Sequence, residues 1–500
     1  MLRPVPDVLF KETRERTERS VDRFGDLPGQ VFKHLNPQSN IERSAPRVPS
    51  IRPEILPSFA KVTGVSFPPD LRRNFTRLTA VNILSNLTVP ITGLVDTAML
   101  GHLADIRFLA GAALGAILFD YVYWTFGFLR MTCTGLTAQA VGRGDRDDEY
   151  GHLIRFVLLG LGAAAFVLLL QVPFRDAGFG LLSGAPGVEA AGRDYFNARI
   201  WGAPATLLNF VLMGWFLGRA QSRNVLIMTV VANLANIGFN YLFIVRLGWA
   251  AAGAGWATAL GQWLSLATAL VLYVRRSDRE PVAWRTALAR KKFKGLFALN
   301  RDLLIRTVLL VSVFASFIDF SARLGTIALA ANSILLRMLN LAAYLIDGAA
   351  FACESLGGIL LGRGDRDGLK RLVRLALVTG LFFASLCLIV YLARPRFFLG
   401  LLTSHSEVIE FAHTYVYWLV PCVVFGSIAY MYDGLLLGWT RPKTLLVSMS
   451  ISVFAVYLPL AGLSAWSGNI HWLWASMALF MLARAATLAV ATRRFLAEPR

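Results

Sequence analysis

The chain has 500 residues, of which 56% are hydrophobic and only 16% charged, and its mean hydropathy is +0.55. The apolar residues come in long runs rather than amphipathic stripes, which excludes an ordinary soluble domain and leaves a polytopic helical membrane protein. The formal charge of +19 does not call for nucleic acid, because the basic residues sit in short loops between those runs, where the positive-inside rule places them.

Residues 1–72 read as a separate polar tail. A mixed-charge piece ending near Arg23 is followed by a Pro-rich stretch with Pro37, Pro46, Pro49, Pro53 and Pro57. It has no signal-peptide apolar core and too many acids for a transit peptide, so a partly disordered cytoplasmic tail is expected. Twelve apolar segments follow, centred on 75–99, 108–140, 153–172, 195–218, 225–245, 252–274, 303–323, 327–360, 371–393, 409–438, 444–463 and 472–492. Each approaches or exceeds the ~20 residues needed to cross ~30 Å of hydrocarbon. This predicts an N-lobe over 73–275, a basic linker over 276–302 and a C-lobe over 303–500. The alternation of basic and non-basic loops puts both termini in the cytoplasm.

The first segment carries Asp96, with Pro90 about one and a half turns earlier. An acid inside a spanning helix costs about 2.5–3.5 kcal/mol on insertion scales, so its default reading is functional. Proline removes a backbone donor and clashes with the preceding turn, so a bend is expected at Pro90. The other reading of Asp96 is a wet carboxyl in the headgroup region. In the second segment, Phe119, Tyr121, Tyr123, Trp124, Phe126 and Phe128 suit either a cavity for flat cations or packing. Further charges within segments are Asp120, Arg130, Asp319, Arg337, Asp347, Glu354 and Asp433. Internal neutralisation is the plain reading, and favoured for Arg130 and Arg337. For Asp347, Glu354 and Asp433 a cavity that receives cations competes with it. Asp319 reads as a second-lobe or pore-facing acid.

Cys133, Cys353, Cys387 and Cys422 fall in apolar stretches without a CxxC pair and read as packing residues. No metal-type histidine spacing, P-loop or nucleophile elbow occurs, so an enzyme is not expected and no cofactor is implied.

The two halves repeat. GRGDRD stands at 142–147 and again at 362–367, and the same offset of 220 relates Cys133 to Cys353 and Leu217–Gly218 to Leu437–Gly438. Six-plus-six parallel repeats suit a transporter whose halves rock about a central site. GRGDRD itself reads as a tight solvated turn.

The strings NLTVPITGLVDTAMLGHL, FGFLRMTCTGLTAQAVGRGD, NRDLLIRTVLL, AYLIDGAAFACESLGGILLGRGD and DGLLLGWTRP resemble the DinF-like branch of the MATE (multidrug and toxic compound extrusion) family over about residues 74–494. The resemblance implies an all-α membrane protein with twelve transmembrane helices in two pseudo-symmetric six-helix bundles. It further implies an antiporter that exports organic, often cationic, amphipathic compounds against protons or sodium. Asp96 matches the family's first-helix acid, its proposed ion-coupling carboxylate. Asn236 matches an Asn followed four residues later by an Asp, but here the second position is Asn240. Asn209 and Thr258 match polar positions that complete the network. One fewer negative charge leaves less to hold sodium, which favours protons.

A lipid-linked saccharide flippase of related architecture is the rival within transport, and a scaffold acting through the tail is the rival outside it. The expected setting is a bacterial plasma membrane, with a monomer, small organic substrates and lipid as partners, and no nucleic acid.

Overall fold

The computed structural model describes residues 69–103, 105–181, 185–275 and 290–498. The predicted tail therefore lies outside the described residues except for its last four positions, as does most of the linker. Among the described residues, twelve helices are long and apolar enough to span a membrane. They are α1 Pro69–Gly101, α2 Arg107–Arg143, α3 Arg146–Leu169, α4 Pro186–Gly218, α5 Ser222–Arg246, α6 Ala250–Val274, α7 Arg290–Arg323, α8 Thr326–Gly362, α9 Arg366–Ala393, α10 Ser406–Gly438, α11 Pro442–Ser467 and α12 Ile470–Ala497. Two starts differ from expectation. α1 begins at Pro69, where proline suits the first helical position and Asp70 complements the dipole. α7 begins inside the predicted linker.

The GRGDRD repeats are paired helix ends. Gly144 and Gly364 both take φ +72°, the left-handed conformation that closes α2 and α8. The next residue caps the following helix: Asp145 accepts from the Asp148 backbone N–H at 2.9 Å, and Asp365 from that of Gly368 at 2.7 Å. The backbone repeat extends to Ala220 and Thr440, 220 residues apart, at φ 56° and 52°.

Two apolar cores mark the two lobes, one centred on Phe156, Leu207 and Trp215 and the other on Leu335, Leu419 and Trp474. The starts of α1 and α7 cross between them. Phe75 and Leu78 of α1 belong to the C-lobe core, and Leu296 of α7 to the N-lobe core. Near the GRGDRD turns the lobes touch through glycines. A Cβ on Gly142 would strike the Ile359 carbonyl, one on Gly362 the Gln139 carbonyl, and one on Gly135 the Leu437 carbonyl. Polar groups cross there too: Gln139 Nε2 donates to the Gly438 carbonyl at 2.9 Å, and Ser355 Oγ donates to that of Leu217 at 2.6 Å. Small residues and hydrogen bonds are the usual means of close helix approach in lipid, where no hydrophobic drive separates one helix from another.

Candidate functional site

α5 presents a row of polar side chains to α1. Thr229, Asn233, Asn236 and Asn240 recur every three or four residues, so they share one helix face. Ser85 Oγ donates to Thr229 Oγ1 at 3.0 Å, Asn233 Nδ2 donates to Thr88 Oγ1 at 2.8 Å, and Asn240 Nδ2 donates to Asp96 Oδ1 at 2.5 Å. Beyond Asp96 the bonds continue into the lobe. Asn240 Nδ2 also donates to Asn236 Oδ1 at 3.0 Å, Asn236 Nδ2 to Thr258 Oγ1 at 3.1 Å, and Thr258 Oγ1 to the Ala254 carbonyl at 2.9 Å. Every donor in this relay points toward the carboxylate end or to the next acceptor. Asn240 Oδ1 is buried with no hydrogen-bond partner among the described residues.

Two backbone features flank the relay. α1 runs without interruption through Pro90, and the hydroxyls of Thr88 and Thr92 bond the Ser85 and Thr88 carbonyls on either side of it. Directly after Asn240, α5 widens into a π-helix over Tyr241–Arg246. π segments are rare and frequently stand at functional sites, although α11 carries one too, over Ile451–Tyr457. The ladder has no counterpart in the other lobe: the positions 220 residues on are Met449, Val453, Val456 and Leu460.

Arg199 of α4 is a cation within electrostatic range of this acid, and sequence reasoning missed it. Its guanidinium lies 4.7 Å from the Phe119 ring centre and 5.6 Å from that of Tyr195, and donates to Tyr195 Oη at 2.7 Å. Its field reaches Asp96 and Asp120. The available signal was an arginine inside the otherwise apolar fourth segment. Phe119 and Tyr123 thus enclose Arg199, whereas Tyr121 and Trp124 are exposed. Tyr121 makes no side-chain hydrogen bond or ring contact among the described residues.

Several expected site residues stand elsewhere. Asn209 is buried and gives its amide to Gln262 Oε1 and the Gln262 carbonyl at 3.0 and 2.9 Å, apart from the Asp96 relay. Asp319 is exposed near the end of α7 and pairs with Arg323, one turn on, at 2.9 Å. Glu354 is 1% exposed and pairs across the lobes with Arg130 at 3.2 Å, while Arg130 stacks 4.3 Å over Phe351. Asp433, 7% exposed, receives Arg306 at 2.5 Å and also Arg484. These acids neutralise arginines inside the bundle. Arg337 departs the other way, being exposed and without an ion pair among the described residues.

Asp347 differs from its neighbours. It makes no hydrogen bond or ion pair among the described residues, yet feels the charges of Arg130, Arg306 and Arg484. With Glu354 and Asp433 it brings three acids against three arginines. On its side of α8, Arg337, Asn340, Leu341 and Tyr344 are exposed at helical spacing. The Tyr344 hydroxyl lies within electrostatic range of both Asp347 and Asp120, one acid from each lobe.

Comparison with known proteins places this architecture. The family profile described as MatE matches residues 82–242 and 303–463, one copy per lobe. The DNA damage-inducible protein F of Escherichia coli is 34% identical over 443 residues, covering 87% of this chain and 95% of that protein. Protein DETOXIFICATION 45, chloroplastic, of Arabidopsis thaliana is 23% identical over 463 residues, covering 84% and 78%. Among solved structures, a multidrug resistance MATE family transporter of the MOP superfamily in an outward-facing conformation superposes with a TM-score of 0.78 at 17% identity, covering 85% of this chain and 96% of that one. With two matched repeats, a full-length relative above 30% identity and twelve helices in two lobes, the chain belongs to the MATE family and is a multi-pass membrane transporter, not an enzyme.

Proposed function

We propose that this transporter exports small organic, cationic amphipathic molecules in exchange for protons taken up at Asp96. The observation that carries the reading is the continuous relay from Asp96 through Asn240 and Asn236 to Thr258. An ionised Asp96 can only accept, so Asn240 turns its N–H₂ toward it. A protonated Asp96 gains an O–H donor, and the unpartnered Oδ1 of Asn240 is the acceptor that meets it when the amide turns. That reversal takes an N–H away from Asn236 Oδ1, so Asn236 turns in its own place and Thr258 must donate to it instead of to Ala254. Protonation thereby rearranges α1, α5 and α6 together, at the π turn of α5. With a substrate cleft between the lobes open outward, this loosens the substrate's hold. The empty protein then turns inward and releases the proton to the less acidic cytoplasm. In this reading Asp120 and Asp347 give the cleft its preference for cations, and the basic loops support a cytoplasmic position for its closed end and for both termini, in a plasma membrane.

The test is efflux of ethidium from proteoliposomes under a pH gradient or a sodium gradient imposed separately. Export under the pH gradient alone is the expected result. A response only to sodium would remove the proton reading. No response to either would bring forward a lipid-linked saccharide flippase, for which the exposed Arg337 is the one supporting feature.

The glycine contacts make a second expectation. Gly362→Ala sets a methyl against the Gln139 carbonyl of the other lobe. Overpacking of this kind costs about 1–3 kcal/mol, and the closed basic end alone bears it. Spin labels on the two GRGDRD turns should move to longer separations in the variant. An unchanged distance distribution would mean that these glycines do not set the closed state.

A further inference from the structure

A second feature lies away from the cleft, at the basic end of the C-lobe. There α7, α11 and α12 leave a trough of about 890 Å³ between them. Its walls are apolar and uncovered among the described residues: Val447 and Ile451 on α11 and Val490 on α12 are each about half exposed. Small residues, Ala298 on α7 and Ala486 on α12, make the depression. From Ala486 to Glu498 it follows α12 for roughly 18 Å at ~1.5 Å per residue. One leaflet contributes about 15 Å of a ~30 Å hydrocarbon core, so the trough matches a single acyl chain in length.

The mouth of the trough carries Arg441, Lys443 and Arg494, and none of the three makes an ion pair among the described residues. The acids that line it are Asp302, bonded to Arg301 at 3.0 Å, and Glu498 at the end of α12. Two of the cations stand where α11 begins, with no acid in its first turn and no side-chain cap. Positive charge at a helix N-terminus is unfavourable by itself and favours an anion from outside. α7 also enters from a basic sequence, Arg290, Lys291, Lys292 and Lys294. The chain's own tail is a poor occupant, since residues 1–66 hold 11 basic against 8 acidic side chains.

We infer that this trough binds one anionic glycerophospholipid from the leaflet on the basic side, with an acyl chain along α12 and its phosphate at Arg441, Lys443 and Arg494. Basic pockets between transmembrane helices on the cytoplasmic side recognise headgroups in this way. The site is independent of the coupling mechanism, and its test uses no transport readout.

The full-length protein in detergent is titrated with phosphatidylglycerol and with phosphatidylcholine of the same acyl composition, and bound lipid is counted by native mass spectrometry. One phosphatidylglycerol should bind in preference to phosphatidylcholine. At about a factor of five for each basic residue, the triple variant Arg441→Ala, Lys443→Ala, Arg494→Ala should bind it roughly 100-fold more weakly. Val490→Trp fills the apolar wall and should displace both lipids without touching the cations. Lys370→Ala with Arg371→Ala, basic residues outside the trough, should bind as the natural protein does. Undiminished phosphatidylglycerol binding by the triple variant or by Val490→Trp would overturn the assignment. So would displacement by glycerol 3-phosphate, which would make the mouth a soluble phosphate site.

Discussion

Asp96→Asn is expected to leave a folded protein in which a pH gradient no longer drives export. Asparagine has the size of aspartate and can still accept from Asn240 Nδ2, so the seam between α1 and α5 survives. What it lacks is a second protonation state. A ligand moves a conformational equilibrium only through different affinity for the two states, and here the proton is that ligand. A tenfold proton gradient is worth about 1.4 kcal/mol, and the variant has no carboxyl at position 96 through which to draw on it. Gradient-driven ethidium efflux should fall at least about tenfold, to the level of liposomes without protein, while thermal stability changes by less than about 1 kcal/mol. Export within twofold of the natural protein would end the proposal for Asp96.

Asp433→Ala should instead damage the fold. It strands Arg306 and Arg484, both buried, and removing one partner of a buried ionic cluster typically costs about 3–5 kcal/mol. The loss should appear as a lower unfolding temperature and reduced yield from membranes. The double variant Asp433→Leu, Arg484→Leu returns the cluster to balance, because Arg306 then stands with Arg130 against Asp347 and Glu354. It should recover part of the stability, and a double variant worse than the sum of its singles would show that the pairing is not what the acid contributes.

The two expectations separate acids that look alike in a hydropathy plot. Asp96 and Asp433 both interrupt apolar runs at the same insertion cost. One meets amides that can reverse their hydrogen bonds, the other two guanidinium groups that can only donate. An amide chain suits a group that changes charge during a cycle; a pair of fixed cations suits one that stays ionised.

Much of this was written locally along the chain. Twelve spans follow from runs that must satisfy their backbone hydrogen bonds internally in lipid, and the basic loops from charges that cannot enter it. The repeated GRGDRD already contains its helix ends, because a glycine that closes one helix and an aspartate that caps the next act within a few residues. The three-to-four spacing of Asn233, Asn236 and Asn240 was equally open to view, though the sequence reading took up only the last two. The pairing of charges was not local. Arg130 meets Glu354 across 224 positions and Arg306 meets Asp433 across 127, and each choice depends on how helices rotate and pack against one another. The same tertiary geometry sent Asp319 to its own helix's Arg323, left Arg337 exposed and brought Arg199 within electrostatic range of Asp96. Composition and spacing determined a membrane protein of two repeated halves with acids in its spans. Only the packing of the spans decided which of those acids neutralise arginines and which meets the relay, because a buried charge takes its role from whichever partner the fold brings within reach.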